Sequence, residues 1–307
     1  MSLKTAAMAL VSEFRARPTM RAGSLIITVF GDAIAPRGGT VWIGSLIRAL
    51  ADLGVNERLV RTSVFRLARD NWLAAQQAGR RSYYSLSLEG RREFETATQR
   101  IYGDPRQAWD GEWCLVLLAG LGAEQRETLR KQLGWSGFGA ISTNVLAHPT
   151  PDTVELEAVL KRLGVDLDVV VMRGNTIGEQ QDAAMRALVR RSWNLDELDS
   201  RYAGFVRKFR PVNHALQRAQ RPDRPLAFQV RTLLIQEYRR ILLRDPLLPA
   251  ELLPAKWNGT AAYQLCRDIY GRVYAAADDY MSNEFETADG PLPPPSPEFY
   301  SRFGGLN

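Results

Sequence analysis

The sequence predicts an α+β protein whose character changes twice along its 307 residues. Three observations carry that expectation. Helical periodicity followed by a hairpin signature fills residues 20–103, strand and helix signals alternate over 104–194, and strand signals vanish over 195–286. A proline-rich, acidic stretch and the C-terminal tail occupy 287–307.

The opening MSLKTAAMALVSEF reads as a short helical lead-in rather than an export signal, because Glu13, Arg15 and Arg17 follow its apolar residues and no cleavage site is evident. Ser24 caps a helix to Phe30, which stops before the turn at Pro36-Arg37-Gly38-Gly39. From Trp42 to Leu53, the apolar residues Ile43, Leu46, Ile47, Leu50 and Leu53 fall at helical spacing, and Gly54 ends the run. Asn56 caps a third helix to about Asp70. Trp72–Gln77 and Ser82–Leu88 read as strands around Ala78-Gly79-Arg80-Arg81, with Tyr84, Leu86 and Leu88 alternating against Tyr83, Ser85 and Ser87. A polar helix, Glu89–Arg100, closes this part.

Asp104-Pro105 marks a boundary, and a buried strand at 113–119 follows. Next come a helix at Glu124–Leu133, a glycine-rich turn at 134–142 leading into a second strand, and a helix at Thr153–Leu163. A strand at Val169–Met172 and a helix at Glu179–Trp193 complete the middle part. That alternation suggests a small ferredoxin-like α+β sandwich. Leu195 to about Tyr280 is helical, and 287–297 is expected to be mobile or extended.

Charge is distributed unevenly. Residues 1–100 hold 15 Lys and Arg against 8 Asp and Glu, whereas the remainder holds 25 against 26. A surplus confined to one third of the chain fits a polyanion-binding module. On the helix from Asn56, the residues Val60, Val64, Leu67 and Ala68 share an apolar face. Arg58, Arg61, Thr62, Phe65 and Arg69 share the opposite face, with Arg66 at its flank. Arginine can reach guanine acceptors or phosphates in a major groove, and methyl or ring surface can meet a thymine methyl. The hairpin adds Arg80 and Arg81, with Tyr83 and Tyr84 behind them. Helix-turn-helix plus basic hairpin is the winged helix-turn-helix arrangement, in which the helix reads double-stranded DNA and the wing holds the backbone or the minor groove.

Other chemistry finds little support in the sequence. The longest apolar run, Trp113–Ala123, is too short to span a bilayer. Cys114 and Cys266 are far apart in apolar settings, which fits the reducing cytoplasm and neither a disulfide framework nor a zinc site. His148 and His214 are isolated, His148 reads as a loop residue, and Asp278-Asp279 as a solvated helix end. Ser136 in GWSGFG is not a nucleophile elbow. A nuclease built on the ferredoxin-like part would need an acid at the end of its first strand, where WCLVLLAGL has none before Glu124. No catalytic residue, metal or cofactor is therefore expected. A non-catalytic interaction scaffold is the remaining alternative.

The stretches FGDAIAPRGGTVWIGSL, ERLVRTSVFRL and GRRSYYSLS resemble the PaaX-like family of transcriptional repressors. The likeness continues through AWDGEW, GWSGFGA, LLRDPLLPAELLPAKW and the terminal RFGGLN. It implies a homodimer that represses a phenylacetate catabolic operon and leaves operator DNA when an aryl-acyl-CoA such as phenylacetyl-CoA binds. A thioester of that kind needs cations and aromatic walls. Trp135, Phe138, Arg239, Arg240, Arg244 and Trp257 are the candidates for its site, between the middle and C-terminal domains.

Overall fold

The computed structural model describes residues 2–17, 22–103, 108–177, 182–219 and 222–306. The Asp104-Pro105 boundary, Met20 at the expected start of the first domain, and the expected helix start at Glu179 lie outside the described residues. The chain divides into two compact units. One comprises 1–103, 203–240 and 260–307, and the other 104–202 and 241–259.

In the first unit, α1 (Leu3–Arg15) is capped by Ser2, whose side chain accepts from the Thr5 N–H. The helix α2 (Ala22–Val29) runs into a wide π-helical turn, Phe30–Ile34, all five residues of which are buried. Gly38 and Gly39 then turn the chain with φ of 79° and 75°, a conformation that excludes most side chains. A short strand β1 (Thr40–Trp42) follows, which the sequence did not signal, and Trp42, the expected start of the next helix, ends the strand as the N-cap of α3 (Ile43–Ala51). Asn56 caps α4 (Glu57–Arg69), accepting from the Leu59 N–H at 2.9 Å. Val60 and Val64 are fully buried beneath α4, each contributing about 1.5–3 kcal/mol by leaving water.

β2 (Leu73–Ala78) and β3 (Arg81–Leu86) form a hairpin in register from Leu73–Leu86 to Ala78–Arg81, and β3 lies at the centre of the order β1-β3-β2. Gly79 supplies the positive φ of 58° at the first position of the two-residue turn. The expected alternation fails in part. Tyr83 and Leu86 are buried and Tyr84 is half-buried, because β1 covers β3 on one side and pairs Trp42 with Tyr83. Leu88 is not in the strand. It starts α5 (Leu88–Tyr102), capped by Ser87, and is exposed.

In the second unit, β4 (Glu112–Leu117), α6 (Ala123–Trp135), β5 (Gly139–Ser142), β6 (Val145–His148), α7 (Thr153–Leu163) and β7 (Val170–Asn175) make a β-α-β-β-α-β succession. Their sheet is antiparallel, in the order β5-β6-β4-β7. The pleat of β4 sends Cys114 and Val116 into a core with Leu129, Leu133, Leu156 and Leu160 of α6 and α7. It sends Trp113 to the other face, against Val189 of α8 (Asp182–Ser192) and Leu248 and Leu252. His148 is buried at the end of β6 against the Phe138 ring, where a loop position was expected.

The C-terminal region is helical, with α9 (Leu195–Leu216), α10 (Arg224–Leu242) and α11 (Asn258–Glu284). It then forms a small hairpin that the sequence did not signal, β8 (Glu286–Thr287) with β9 (Gly290–Pro291). The proline-rich stretch after it is extended and tied down. The Ser296 N–H donates to the Pro36 carbonyl at 2.8 Å, and Leu292 is buried. A 3-10 segment, Pro297–Gly304, ends the described chain apart from two residues.

Candidate nucleic-acid interface

Two populations of arginine stand out in the first unit. Arg37, Arg231 and Arg302 are buried at 2%, 1% and 5% exposure. Arg231 and Arg302 flank Asp32, which the π-helical turn carries inward. Arg231 Nε donates to Asp32 Oδ2 at 2.7 Å, and Arg302 Nη1 donates to Asp32 Oδ1 at 3.0 Å. The Tyr102 and Tyr270 hydroxyls donate to the same Oδ1 at 2.6 and 2.8 Å. Asp278 is no solvated helix end, for it accepts from Arg231 Nη1 at 2.6 Å and pairs with Arg37 at 3.0 Å. Burial alone would raise the Asp32 carboxyl. The Arg231 and Arg302 guanidiniums outweigh it and hold that carboxyl below the usual carboxylate range. Burial and the neighbouring Asp32 charge push the Tyr102 phenol well up.

The second population is on α4. Arg58, Arg61, Thr62, Phe65, Arg66 and Arg69 are all exposed, and Phe65 is 69% exposed. A helix of period 3.6 with Val60 and Val64 buried must turn these residues outward. Arg61 pairs with Glu57 one turn earlier at 2.7 Å, and Arg69 with Asp70 at 3.1 Å. Both pairs are exposed, of the kind worth about 0–1 kcal/mol, and give way readily to a phosphate. Arg58 and Arg66 have no ion-pair partner among the described residues. Thr62 donates its hydroxyl to the Arg58 carbonyl at 2.8 Å, so its methyl is what it presents outward.

The hairpin contributes unequally. Arg80 is exposed at the turn. Arg81 lies 4.3 Å over the Trp42 ring and pairs with Glu286 of β8 at 2.7 Å. That hydrogen bond lowers the Glu286 carboxyl and raises the Arg81 guanidinium. Arg48 reaches the same carboxylate at 3.4 Å. Tyr83, expected among the contacts, is 6% exposed and belongs to the core. The charged partner Glu286 was missed because it follows Arg81 by more than two hundred residues.

The six effector candidates are divided between the units. Arg239 and Arg240 belong to the first. Arg240 is 3.8 Å from Glu237, and burial lowers Arg239. Trp135, Phe138, Arg244 and Trp257 belong to the second. Phe138 is buried in the sheet core, Trp257 packs edge-on to Tyr202, and Trp135 is 70% exposed. The Ser136 hydroxyl donates to Glu155 at 2.8 Å. Among the described residues, no group of three or more His, Cys, Asp or Glu could hold a metal ion, and no helix is long and apolar enough to cross a membrane.

Taken together, these features define a multi-part α+β protein with a basic helix-and-hairpin surface. Its sequence matches the families described as PaaX-like protein over residues 21–90, PaaX protein central Cas2-like domain over 106–186, and PaaX-like protein C-terminal domain over 193–283. The chain belongs to the PaaX-like family. It is 42% identical over 287 residues to the "Transcriptional repressor PaaX" of Escherichia coli (strain K12), covering 92% of this chain and 90% of that one. A solved structure, "Uncharacterized protein Rv0674 from Mycobacterium tuberculosis", aligns with a TM-score of 0.47 and 24% identity, covering 76% of this chain and 90% of that one.

Proposed function

We propose that the protein is a cytoplasmic, homodimeric transcriptional repressor whose α3, α4 and β2–β3 hairpin act as a winged helix-turn-helix. Its β-α-β-β-α-β part is read as ferredoxin-like and non-catalytic. The carrying observation is the exposed face of α4, where Arg58, Arg61, Thr62, Phe65 and Arg66 stand together above a buried apolar face. The 42% identity to a repressor supports it. Arg61, Thr62 and Phe65 read base edges, while Arg58, Arg66, Arg69 and Arg80 meet phosphates, and Arg81 joins them only in part because Glu286 competes for it. Two-fold symmetry sets the half-sites about one DNA turn or a multiple apart. The operator controls phenylacetate catabolism, and an aryl-acyl-CoA such as phenylacetyl-CoA releases the protein by favouring a state with different helix spacing.

Mobility-shift titration with the upstream DNA of a phenylacetate operon tests this reading. A discrete shift that a scrambled duplex fails to compete, and that phenylacetyl-CoA reverses, is expected. Equal affinity for both duplexes overturns it, and cleavage of the duplex with magnesium would favour a nuclease instead.

A further inference from the structure

A cavity of about 650 Å³ opens in the unit that contains α4, within the size range of small-molecule sites. Four stretches wall it. Gly31 and Pro36 come from the turns before β1, Leu86 from β3 at the foot of the hairpin, Arg91, Phe94, Thr98 and Tyr102 from α5, and Phe299 from the C-terminal 3-10 segment. Three aromatic rings, Phe94, Tyr102 and Phe299, stand in a wall that is otherwise mixed. Tyr102 and Phe299 are buried and Phe94 is half-buried. The Phe94 ring lies against Gly31, where an added Cβ would stand 2.1 Å from it, so only glycine lets that ring occupy its place.

The polar groups limit what the cavity can take. Arg302 lines it but is already satisfied by Asp32 and Tyr270. Arg91 is exposed and has no ion-pair partner among the described residues. Its Nε makes only a 3.5 Å contact to the Leu86 carbonyl. Glu95 and Glu298 also line the rim, so a compact anion inside would face two carboxylates beside one free guanidinium. Thr98, Gln99 and Ser296 offer uncharged hydrogen-bonding groups. Rings plus neutral donors and acceptors suit an aromatic acyl group on an uncharged, amide-bearing arm.

We infer that this cavity receives the aryl-acyl group and adjoining arm of the thioester effector; the inference rests on the effector reading proposed above. It relocates the site from the six candidates drawn from sequence to the base of the DNA-contacting hairpin. Leu86 pairs with Leu73 where β2 meets β3, and α5 follows β3 after one residue. A ligand wedged against Leu86 and α5 therefore acts on the hairpin directly. It shifts the population only insofar as it fits one hairpin position better than the other.

The test uses the full-length protein with phenylacetyl-CoA, free phenylacetate and CoA, followed by operator anisotropy and by amide hydrogen exchange. The thioester is expected to release operator DNA and to protect residues 88–102 and 297–304, with phenylacetate and CoA each much weaker. Thr98→Trp, which fills the cavity, is expected to raise at least about tenfold the thioester concentration that produces half of the full anisotropy change. Wild-type protein insensitive to the thioester would defeat the effector reading, and this assignment with it. If the wild type responds but Thr98→Trp responds equally, or protection falls only on 135–138 and 239–257, the cavity is wrong and the effector reading stands. Should Thr98→Trp fail to fold, the exchange pattern of the wild type decides alone.

Discussion

Arg302 and Arg61 are the same side chain put to opposite uses in one compact unit. Arg302 is 5% exposed and enclosed by Asp32, Tyr270 and the Gly31 and Asp32 carbonyls. Arg61 is exposed on α4 and meets only Glu57, one turn away. A buried guanidinium is tolerable only when carboxylates and hydrogen-bond acceptors surround it, and once so enclosed it has nothing left for a ligand. An exposed one with a weak partner keeps its donors for whatever anion arrives. Counting arginines therefore says little about DNA, and asking which of them have been neutralised says much more.

The largest separation of the two populations should appear in stability. Asp32→Asn leaves Arg231 and Arg302 buried without their shared carboxylate, and a loss of about 3–5 kcal/mol in urea unfolding is expected. Arg61→Ala, at an exposed site, should change it by no more than about 0.5 kcal/mol. Equal effects would erase the distinction.

Acid unfolding sharpens the comparison. The Asp32 carboxyl is held below its ordinary value in the folded chain, so its contribution is complete above about pH 4, the unfolded value. It is then lost as pH falls through the depressed folded value. Stability followed by circular dichroism should drop steeply below about pH 4, and Asp32→Asn should remove much of that slope.

On the DNA side, Arg61→Ala is expected to cost roughly 1–3 kcal/mol on the operator and to relax selectivity at one position. The smallest effect concerns an arginine that belongs to both worlds. Arg81 is exposed yet held by Glu286 above Trp42. Glu286→Gln frees it to meet a phosphate, which should strengthen binding to all duplexes alike and steepen the salt dependence by about 1 unit. An unchanged slope in salt titrations would mean that Arg81 never reaches DNA.

Much of this was legible in sequence, for a physical reason. The α4 faces follow from the 3.6-residue period and from Asn56 as a cap, both local properties, and the structure has Glu57–Arg69 helical with Val60 and Val64 buried. The α7 boundaries, Thr153–Leu163, likewise agree with Asp152 capping and Gly164 ending the helix. Non-local partners were not legible. Nothing near Asp32 announces Arg231 or Arg302, and nothing near Arg81 announces Glu286. The motifs FGDAIAPRGG and RFGG mark kinship in the sequence, and in the structure their chemistry is the Asp32–Arg302 cluster and the Arg37–Asp278 pair. Tyr83 was misplaced because β1, only three residues long, gave no strand signal, yet it covers the central strand.

Operator anisotropy of full-length protein carrying Arg58→Ala, Arg61→Ala and Arg66→Ala together, across a salt series, tests the central claim most directly. The triple variant should unfold at nearly the wild-type temperature, bind the operator at least about a hundredfold more weakly, and lose about 4–5 units of salt slope, since each dimer carries two copies of α4. Wild-type affinity and slope in that variant would contradict the assignment of DNA contact to α4.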